Sequence, residues 1–238
     1  MHKVIPLTIL ICSSLLCETA LADPASTWKG NAELGILVTN GNTKTKNITA
    51  KGQVINERDR WRHTLKAEML NSSDKGTTTA ERYLASGKSD YKLDDRSYLF
   101  GLLIYENDRF SGYDYRLAET LGYGYGLIKR PTLTLDLEGG LGARQSKIID
   151  TGESQNEGVA HLAGNLGWKI SDNATFSENL STDIGEQSTI TKSVTALTNQ
   201  IVGNLQSKIS FTAQTNSRGP AGTTKLDSET AVTLVYNF

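Results

Sequence analysis

Cysteine is almost missing from this chain of 238 residues, since it has only two, Cys12 and Cys17. Both lie close to the N-terminus, so residues 18–238 contain neither a disulfide nor a thiolate metal site. Histidine is scarce as well, with three residues, and no group of histidines and carboxylates has the spacing of a metal site. The sequence therefore predicts a protein without a metal or a cofactor.

Long apolar runs and an excess of one charge are also missing. The longest apolar stretch, Val4 to Leu16, falls short of the ~20 residues that a membrane-spanning helix needs. The formal net charge is −1, which creates no strong electrostatic field for binding nucleic acid. The sequence thus excludes a helical membrane protein and does not indicate nucleic-acid binding.

The N-terminal segment has the pattern of a secretory signal. A short basic start, His2-Lys3, precedes the apolar stretch, and Ala20-Leu21-Ala22 supplies the small residues of a cleavage site. We expect residues 1–22 to be removed and residues 23–238 to form a single domain. Lipoprotein processing at Cys17 is the alternative, but Leu16 is larger than the residue that usually precedes a lipidated cysteine.

The rest of the chain repeats one pattern, in which about ten residues of alternating character are followed by a polar turn. Residues 133–144 show it most clearly, with every charge on one face and leucines on the other. In a soluble sandwich the apolar stripe would face a core, whereas in a transmembrane barrel it faces lipid. The pattern predicts an all-β, antiparallel, up-and-down barrel of twelve strands, an even number as in bacterial barrels. The segments are 28–38, 43–55, 61–71, 80–92, 97–107, 114–127, 133–144, 158–170, 174–184, 192–201, 205–216 and 227–238.

The connections between these segments alternate in length. The second, fourth, sixth, eighth and tenth are short, and most of the others are longer and more polar. The first, Thr39-Asn40-Gly41-Asn42, is an exception with a tight Asn-Gly turn signal. Barrels of the outer membrane have short periplasmic turns and longer extracellular loops, so the alternation predicts the orientation. The longer connections are predicted at 72–79, 108–113, 145–157, 185–191 and 217–226.

The last segment ends on an aromatic residue. Val232, Leu234, Tyr236 and Phe238 share one face of a strand that would be an aggregation hazard if it stayed unpaired. We expect this strand to pair antiparallel with the one beginning at Trp28, which closes the barrel and removes the edge.

Aromatic residues cluster at one end of the predicted strands. Amphipathic rings prefer the membrane interface, so these side chains are predicted to form a girdle at the periplasmic rim. The alternative is that they are ordinary core aromatics of a soluble β-protein. The predicted girdle comprises Trp28, Trp61, Tyr91, Tyr98, Tyr125, Trp168, Tyr236 and Phe238.

Several stretches resemble a bacterial domain-of-unknown-function family described as salt-induced outer-membrane proteins. They are 28–35, 39–43, 60–63, 80–83, 109–116, 122–125 and 234–238. The resemblance implies a location in the outer membrane of a Gram-negative bacterium, and it implies no activity, because the family has none established. The terminal aromatic resembles the signal that the barrel assembly machinery recognises by strand addition. Membrane lipid and that machinery are therefore the implied partners.

Charged residues fall on the inward face of the predicted strands. The candidates are Arg62, Lys66, Glu68, Arg82, Lys88, Asp90, Asp136, Glu138, Arg144 and His161. Such residues either pair across the interior and fill it, or they line a narrow channel that selects solutes. Because both signs are mixed and the side chains are long, we expect a filled or very narrow lumen in a structural or envelope-stress barrel. A small-solute channel is the alternative.

Little in the sequence points to an enzyme, and we predict none. His63 falls on the lipid-facing stripe, and no signature places an acid and a serine beside His161, so an outer-membrane hydrolase is only the second alternative. Segment 108–116 alternates aromatic and charged residues, which fits a ligand-binding or lumen-folded loop or, as we favour, an extended hairpin. Glu119 and Glu178 fall on apolar faces, and a β-bulge or a strand-end position would account for them.

Overall fold

The computed structural model describes residues 27–38, 45–218 and 225–238, and within them the chain forms twelve β-strands. Each strand pairs with its neighbours in sequence and β1 pairs with β12, so the sheet is a closed antiparallel barrel. This confirms the predicted fold class. The strands are β1 (Thr27–Val38), β2 (Thr45–Glu57), β3 (Trp61–Asp74), β4 (Thr77–Lys92), β5 (Ser97–Asp108), β6 (Tyr113–Arg130), β7 (Leu133–Ile148), β8 (Ser154–Lys169), β9 (Ala174–Gly185), β10 (Thr189–Val202), β11 (Leu205–Asn216) and β12 (Leu226–Asn237).

The last strand closes the barrel as predicted. β1 and β12 run antiparallel, with Ala32 opposite Tyr236. Backbone hydrogen bonds of 2.9 Å join Gly30 and Phe238 in both directions, so the final residue of the chain still belongs to the ladder. A β-carbon at Gly30 would lie 2.5 Å from the Phe238 ring. The ring therefore occupies the space that a side chain at position 30 would need.

Successive residues of each strand point to opposite faces of the wall. In β5, Phe100 is 3% exposed, whereas Leu99 and Leu103 on the other face are 49% and 50% exposed. The outward rows are rich in large apolar side chains, and the inward rows carry most of the charge. This distribution is the reverse of a soluble protein and matches a wall that faces lipid. No helix in the part of the chain that the structure describes is long and apolar enough to cross a membrane.

At one end of the barrel, called here the short-turn end, brief connections join the strands at 58–60, 93–96, 131–132, 170–173 and 203–204. One of them is stabilised by Asp94, whose carboxylate accepts hydrogen bonds from the backbone N–H of Arg96 at 2.7 Å and of Ser97 at 2.8 Å. The Ser97 hydroxyl donates to the same carboxylate. The short connections lie where the alternation predicted them.

The opposite end of the barrel is called here the loop end. Some of the segments predicted as loops at this end form β-strand. The predicted connection 72–79 is wrong, because β3 and β4 continue to a two-residue turn at Lys75 and Gly76. Both turn residues have positive φ, 50° and 86°, as the primed hairpin turns require at their first position or at both. Hydroxyl groups bridge these polar strand ends, since Ser72 donates to Asn47 Oδ1 at 2.5 Å. The predicted signal peptide, the turn at 39–42 and residues 219–224 lie outside the described residues.

Glu119 and Glu178 do not lie at bulges or strand ends, so that expectation is wrong. Glu119 lies within β6 opposite Leu103, and the register shifts of β6 lie nearer the two ends of the strand. Glu178 lies within β9 opposite Leu166, in a regular stretch of the ladder. Both carboxylates therefore point outward.

Candidate functional site

The inward rows of side chains enclose the lumen. The register pairs Arg62 with Asp90 and Asp90 with the buried Phe100, which identifies the inward row of β3, β4 and β5. The same ladder continues around the barrel. It places all ten of the predicted charged residues on the inward face, namely Arg62, Lys66, Glu68, Arg82, Lys88, Asp90, Asp136, Glu138, Arg144 and His161.

One side of the lumen is filled by linked contacts that we call the ion-pair network: Arg62, Lys88, Asp90, Tyr98 and Glu138. Arg62 Nε donates to Asp90 Oδ2 at 2.7 Å, and the Lys88 ammonium lies 3.4 Å from Asp90 Oδ1. Lys88 also donates to Glu138 Oε1, and the Tyr98 hydroxyl donates to the same oxygen at 2.7 Å. β5 and β6 separate β4 from β7, so the contact between Lys88 and Glu138 crosses the interior. Asp90 is only 1% exposed, and its cationic neighbours offset the cost of burying its charge.

Glycines make room for the aromatic members of this side. A β-carbon at Gly122 would lie 2.5 Å from the Phe100 ring, and one at Gly124 would lie 2.6 Å from the Tyr98 hydroxyl oxygen. The two rings therefore lie flat against a glycine-lined stretch of β6. Lys88 Nζ is 4.9 Å from the Phe100 ring centroid and 5.3 Å from that of Tyr98. The rings thus help to hold the cation in place.

The inward position of Tyr98 corrects the predicted girdle. Its side chain is 6% exposed, because Leu99 takes the outward position at the start of β5. The neighbouring ring pair is Trp61 and Tyr91, whose centroids are 5.0 Å apart. The other seven predicted rings lie on outward rows near the short-turn end, namely Trp28, Trp61, Tyr91, Tyr125, Trp168, Tyr236 and Phe238.

Further ion pairs lie toward the loop end. Arg82 on β4 and Glu229 on β12 are 2.8 Å apart, although β3, β2 and β1 separate their strands. Arg116 and Glu106 form a second pair at 3.1 Å. A cavity of about 180 Å³ opens beside Arg82, Glu229 and Asp108. Cross-lumen pairing therefore narrows this end of the barrel.

Segment 108–116 is a hairpin with one inward-turned ring. Its tip, residues 109–112, joins β5 to β6, and Phe110 is exposed. Tyr113 is buried, with the Arg116 guanidinium 5.2 Å from its ring centroid. Tyr105 and Tyr115 stack with centroids 6.4 Å apart. Ring packing accounts for most of the aromatic residues in this segment.

A buried ion pair holds the turn between β9 and β10 against the wall. Arg144 Nη2 lies 2.7 Å from Glu157 Oε1, and the two side chains are 4% and 6% exposed. The same nitrogen donates to the carbonyl oxygen of Ser188 at 2.6 Å and to its hydroxyl oxygen at 2.8 Å. Glu157 Oε2 accepts the Gln187 N–H at 2.7 Å. Residues 186–188 are therefore drawn inward at the loop end.

His161 belongs to another pair. Its Nδ1 is 2.6 Å from Asp183 Oδ1, and its ring meets the edge of Phe100 at a centroid distance of 6.1 Å. A hydrolytic triad would also need a serine on the second ring nitrogen. Within the described residues, no serine forms a hydrogen bond with His161. No group of three or more histidine, cysteine or acidic residues in that same part of the chain is arranged to hold a metal ion.

On the other side of the lumen three lysines share one acidic neighbour instead of each pairing with a carboxylate. Lys51, Lys66 and Lys192, here called the lysine cluster, form no ion pair with any residue that the structure describes. Their shared acidic neighbour is Glu68, which interacts electrostatically with all three. Lys192 on β10 and Glu68 on β3 face each other across the interior, with β2, β1, β12 and β11 between their strands. Lys66 projects inward, and its side chain is exposed to the space of the lumen although surrounding groups partly desolvate it.

Sequence reasoning missed two members of the lysine cluster. Lys51 could have been found, because Thr49, Lys51 and Gln53 alternate with apolar or small residues along β2. Lys192 opens the predicted tenth segment, where both faces are mixed. A further inward lysine, Lys208, was also missed, and it pairs with Glu33 at 2.8 Å.

At the short-turn end the lumen opens into a vestibule of about 830 Å³. Asp136, Arg62 and Tyr98 line it from the inside, and Lys92 pairs with Glu57 there at 2.7 Å. The vestibule therefore connects the ion-pair network with the exterior.

Twelve antiparallel strands closed on themselves, apolar outside and charged inside, define the class of outer-membrane-type β-barrels. The chain belongs to the family described as "Protein of unknown function, DUF481", whose family model matches residues 32–238. It is 30% identical over 224 residues to the uncharacterised protein YdiY of Escherichia coli (strain K12), and the match covers 92% of this chain and 88% of YdiY.

Solved structures share the fold. The NanC porin is similar with a TM-score of 0.53 at 11% identity, over 88% of this chain and 98% of that chain. The translocator domain of the autotransporter NalP from Neisseria meningitidis is similar with a TM-score of 0.50 at 15% identity, over 90% of this chain and 88% of that chain. At these identities the likeness concerns the fold alone.

Proposed function

We propose that this protein is a narrow outer-membrane channel that passes small anionic solutes. One observation carries the proposal: Lys51, Lys66 and Lys192 project into the lumen without forming an ion pair with any described residue, and Lys66 is exposed there. Fixed positive charge along a water-filled path lowers the energy of anions and raises that of cations. The substrate class is therefore small anions, and no catalytic step is part of the proposal.

The electrostatic attraction is large enough to sort ions. A unit charge about 4 Å from a lysine ammonium is stabilised by about 1 kcal/mol in water and about 4 kcal/mol near a protein wall. Glu68 offsets one of the three positive charges in the cluster. The remaining excess of two positive charges favours anions at this level of the lumen.

An outer-membrane location fits the outward rows of leucine and aromatic side chains and the barrel fold that the chain shares with the NanC porin. Membrane lipid would contact these rows. β12, which pairs with β1 and ends in an exposed aromatic ring, would be the strand that the barrel assembly machinery recognises. Export would use the signal predicted for residues 1–22.

The ion-pair network favours a second candidate function, a structural or envelope-stress barrel with a closed lumen. Lys88, Glu138 and Tyr98 fill one side of the interior, and the ion pair between Arg82 and Glu229 spans the lumen nearer the loop end. In that case the paired charges would serve the stability of the wall, and no solute would pass.

Single-channel recording of the purified barrel in planar bilayers separates the two candidates. A channel gives repeated small conductance steps after insertion of folded protein. A structural barrel inserts, as heat-modifiable gel migration of the recovered protein shows, and gives no steps. The second result would refute the channel proposal.

A further inference from the structure

The two ends of the lumen differ in the space that they leave open. At the short-turn end the vestibule measures about 830 Å³, whereas the cavity beside Arg82 and Glu229 at the loop end measures about 180 Å³. Pockets that hold drug-sized ligands measure about 300 to 1,000 Å³. The loop end is therefore the narrower entrance.

The ion pair between Arg82 and Glu229 crosses the lumen at this end. β4 and β12 lie four strands apart in the ring, which is roughly 19 Å along the wall at a spacing of about 4.8 Å per strand. Two side chains that meet at 2.8 Å across this arc must both extend away from the wall. Within the described residues, the second carboxylate oxygen of Glu229 accepts no hydrogen bond, so Arg82 is the partner that holds this carboxylate. The pair therefore occupies the lumen itself.

The other long-range pairs lie closer to the wall. The Lys88 ammonium reaches its carboxylate partner over two aromatic rings of β5, whose centroids lie 4.9 Å and 5.3 Å from it. Lys208 and Glu33 are joined at 2.8 Å, and only β12 lies between their strands. Both pairs therefore stay on one side of the lumen.

The hairpin tip between β5 and β6 narrows the same entrance. Phe110 and Ser111 of the tip line the cavity of about 180 Å³ together with Thr212 and Gln214 of β11. The β5–β6 hairpin and the β11–β12 hairpin lie on opposite sides of the ring of twelve strands. The tip must therefore lean over the lumen to share a cavity with the opposite wall.

We infer that the pair of Arg82 and Glu229, under the hairpin tip, is the constriction that limits the size of the solutes that pass. This inference rests on the proposed channel function. The cavity beside the pair is smaller than a drug-sized pocket, so the solutes that it admits are compact monomers and not oligomers. The pair carries one charge of each sign, so its removal widens the path without changing the net charge of the lumen.

Two matched double variants test the constriction. Arg82→Ser with Glu229→Ser removes both long side chains and leaves neither charge buried without its counter-ion. Lys208→Ser with Glu33→Ser is the control, because that pair has the same separation of 2.8 Å and the same charges but stays on one side of the lumen. Heat-modifiable gel migration checks the folding of every variant. Single-channel conductance is then recorded, with neutral polyethylene glycols of graded size as probes of the width.

We expect Arg82→Ser with Glu229→Ser to raise the conductance at least about twofold and to admit larger polymers, because the lumen is no longer divided. The control double variant should match the wild type. Exchanging the partners, Arg82→Glu with Glu229→Arg, should rebuild the bridge and restore the wild-type conductance. A first double variant that conducts like the wild type, or an equal rise in both serine double variants, would overturn the inference.

Failure of the proposed channel function gives a different pattern. A wild-type barrel without conductance steps, beside a conducting variant that lacks Arg82 and Glu229, would refute the channel and still support this pair as the obstruction. The absence of steps from the wild type and from every variant would overturn both.

Discussion

Gly124→Ala tests the packing of the lumen wall. The added β-carbon would lie 2.6 Å from the Tyr98 hydroxyl oxygen and closer still to two ring carbons. Overpacking of this kind costs about 1 to 3 kcal/mol. Displacing the ring also weakens its 2.7 Å hydrogen bond to Glu138, and a hydrogen bond to a charged group contributes about 1.5 to 3 kcal/mol. We expect the free energy of unfolding to fall by about 2 to 4 kcal/mol, because the Tyr98 ring can move part of the way out of the clash.

The assay is the folded fraction by heat-modifiable gel migration across a urea titration. Gly52→Ala is the matched control, because a β-carbon at that position meets no atom within 4 Å. In a Tyr98→Ala background the cost of Gly124→Ala should almost vanish, as a double-mutant cycle would show. If Gly124→Ala were as stable as Gly52→Ala, or if its cost persisted without the Tyr98 ring, the packing argument would be refuted.

Three further predictions concern other parts of the barrel. Glu157→Gln leaves Arg144 buried without its counter-ion, so we expect the free energy of unfolding to fall by about 3 to 5 kcal/mol and residues 186–188 to become open to protease cleavage. A variant that is not cut and is as stable as the wild type would contradict this. The pKa of Asp94 is lowered by the Ser97 hydroxyl and the N–H groups of Arg96 and Ser97. The carboxylate therefore stabilises the 93–96 turn at neutral pH, and this stabilisation is lost as the pH falls through the lowered pKa of Asp94. Amide hydrogen exchange at Ser97 should become faster over that pH range. An opening of the turn that does not depend on pH in the acid range would contradict this prediction. Leu121→Arg places a charge on the lipid-facing row and should lower the free energy of unfolding in lipid vesicles by about 2 to 4 kcal/mol. A variant as stable as the wild type would show that this row does not face lipid.

The architecture could be predicted because side chains alternate between the two faces of a β-strand, which gives the sequence a period of two. All twelve strands, their pairing order and the closing contact between β1 and β12 follow from alternation and from the aromatic end of the chain. Loop length was less predictable. Polar residues such as Ser72 and Thr79 indicate a loop by composition, yet they extend β3 and β4, because hydrogen bonds hold a hairpin that has no apolar face.

The contacts within the lumen could not be derived from alternation. Parity indicates which side chains point inward, but not that Lys88 reaches Glu138 or that Arg82 reaches Glu229, since those pairs depend on the stagger and width of the barrel. Tyr98 was wrongly predicted to belong to the girdle, because an aromatic ring at a strand end can lie at the rim or point into the lumen. Only the glycines opposite it on β6 reveal the space that it fills.

Anion selectivity can be measured as the reversal potential of single channels across a potassium chloride gradient. We expect chloride to pass more readily than potassium, and the simultaneous replacement of Lys51, Lys66 and Lys192 by glutamine to remove most of this preference. Lys75→Gln, at the tip of the turn between β3 and β4, is the control and should leave the reversal potential unchanged. A cation-selective wild-type channel, or a triple variant with the same reversal potential as the wild type, would show that the lysine cluster does not select anions.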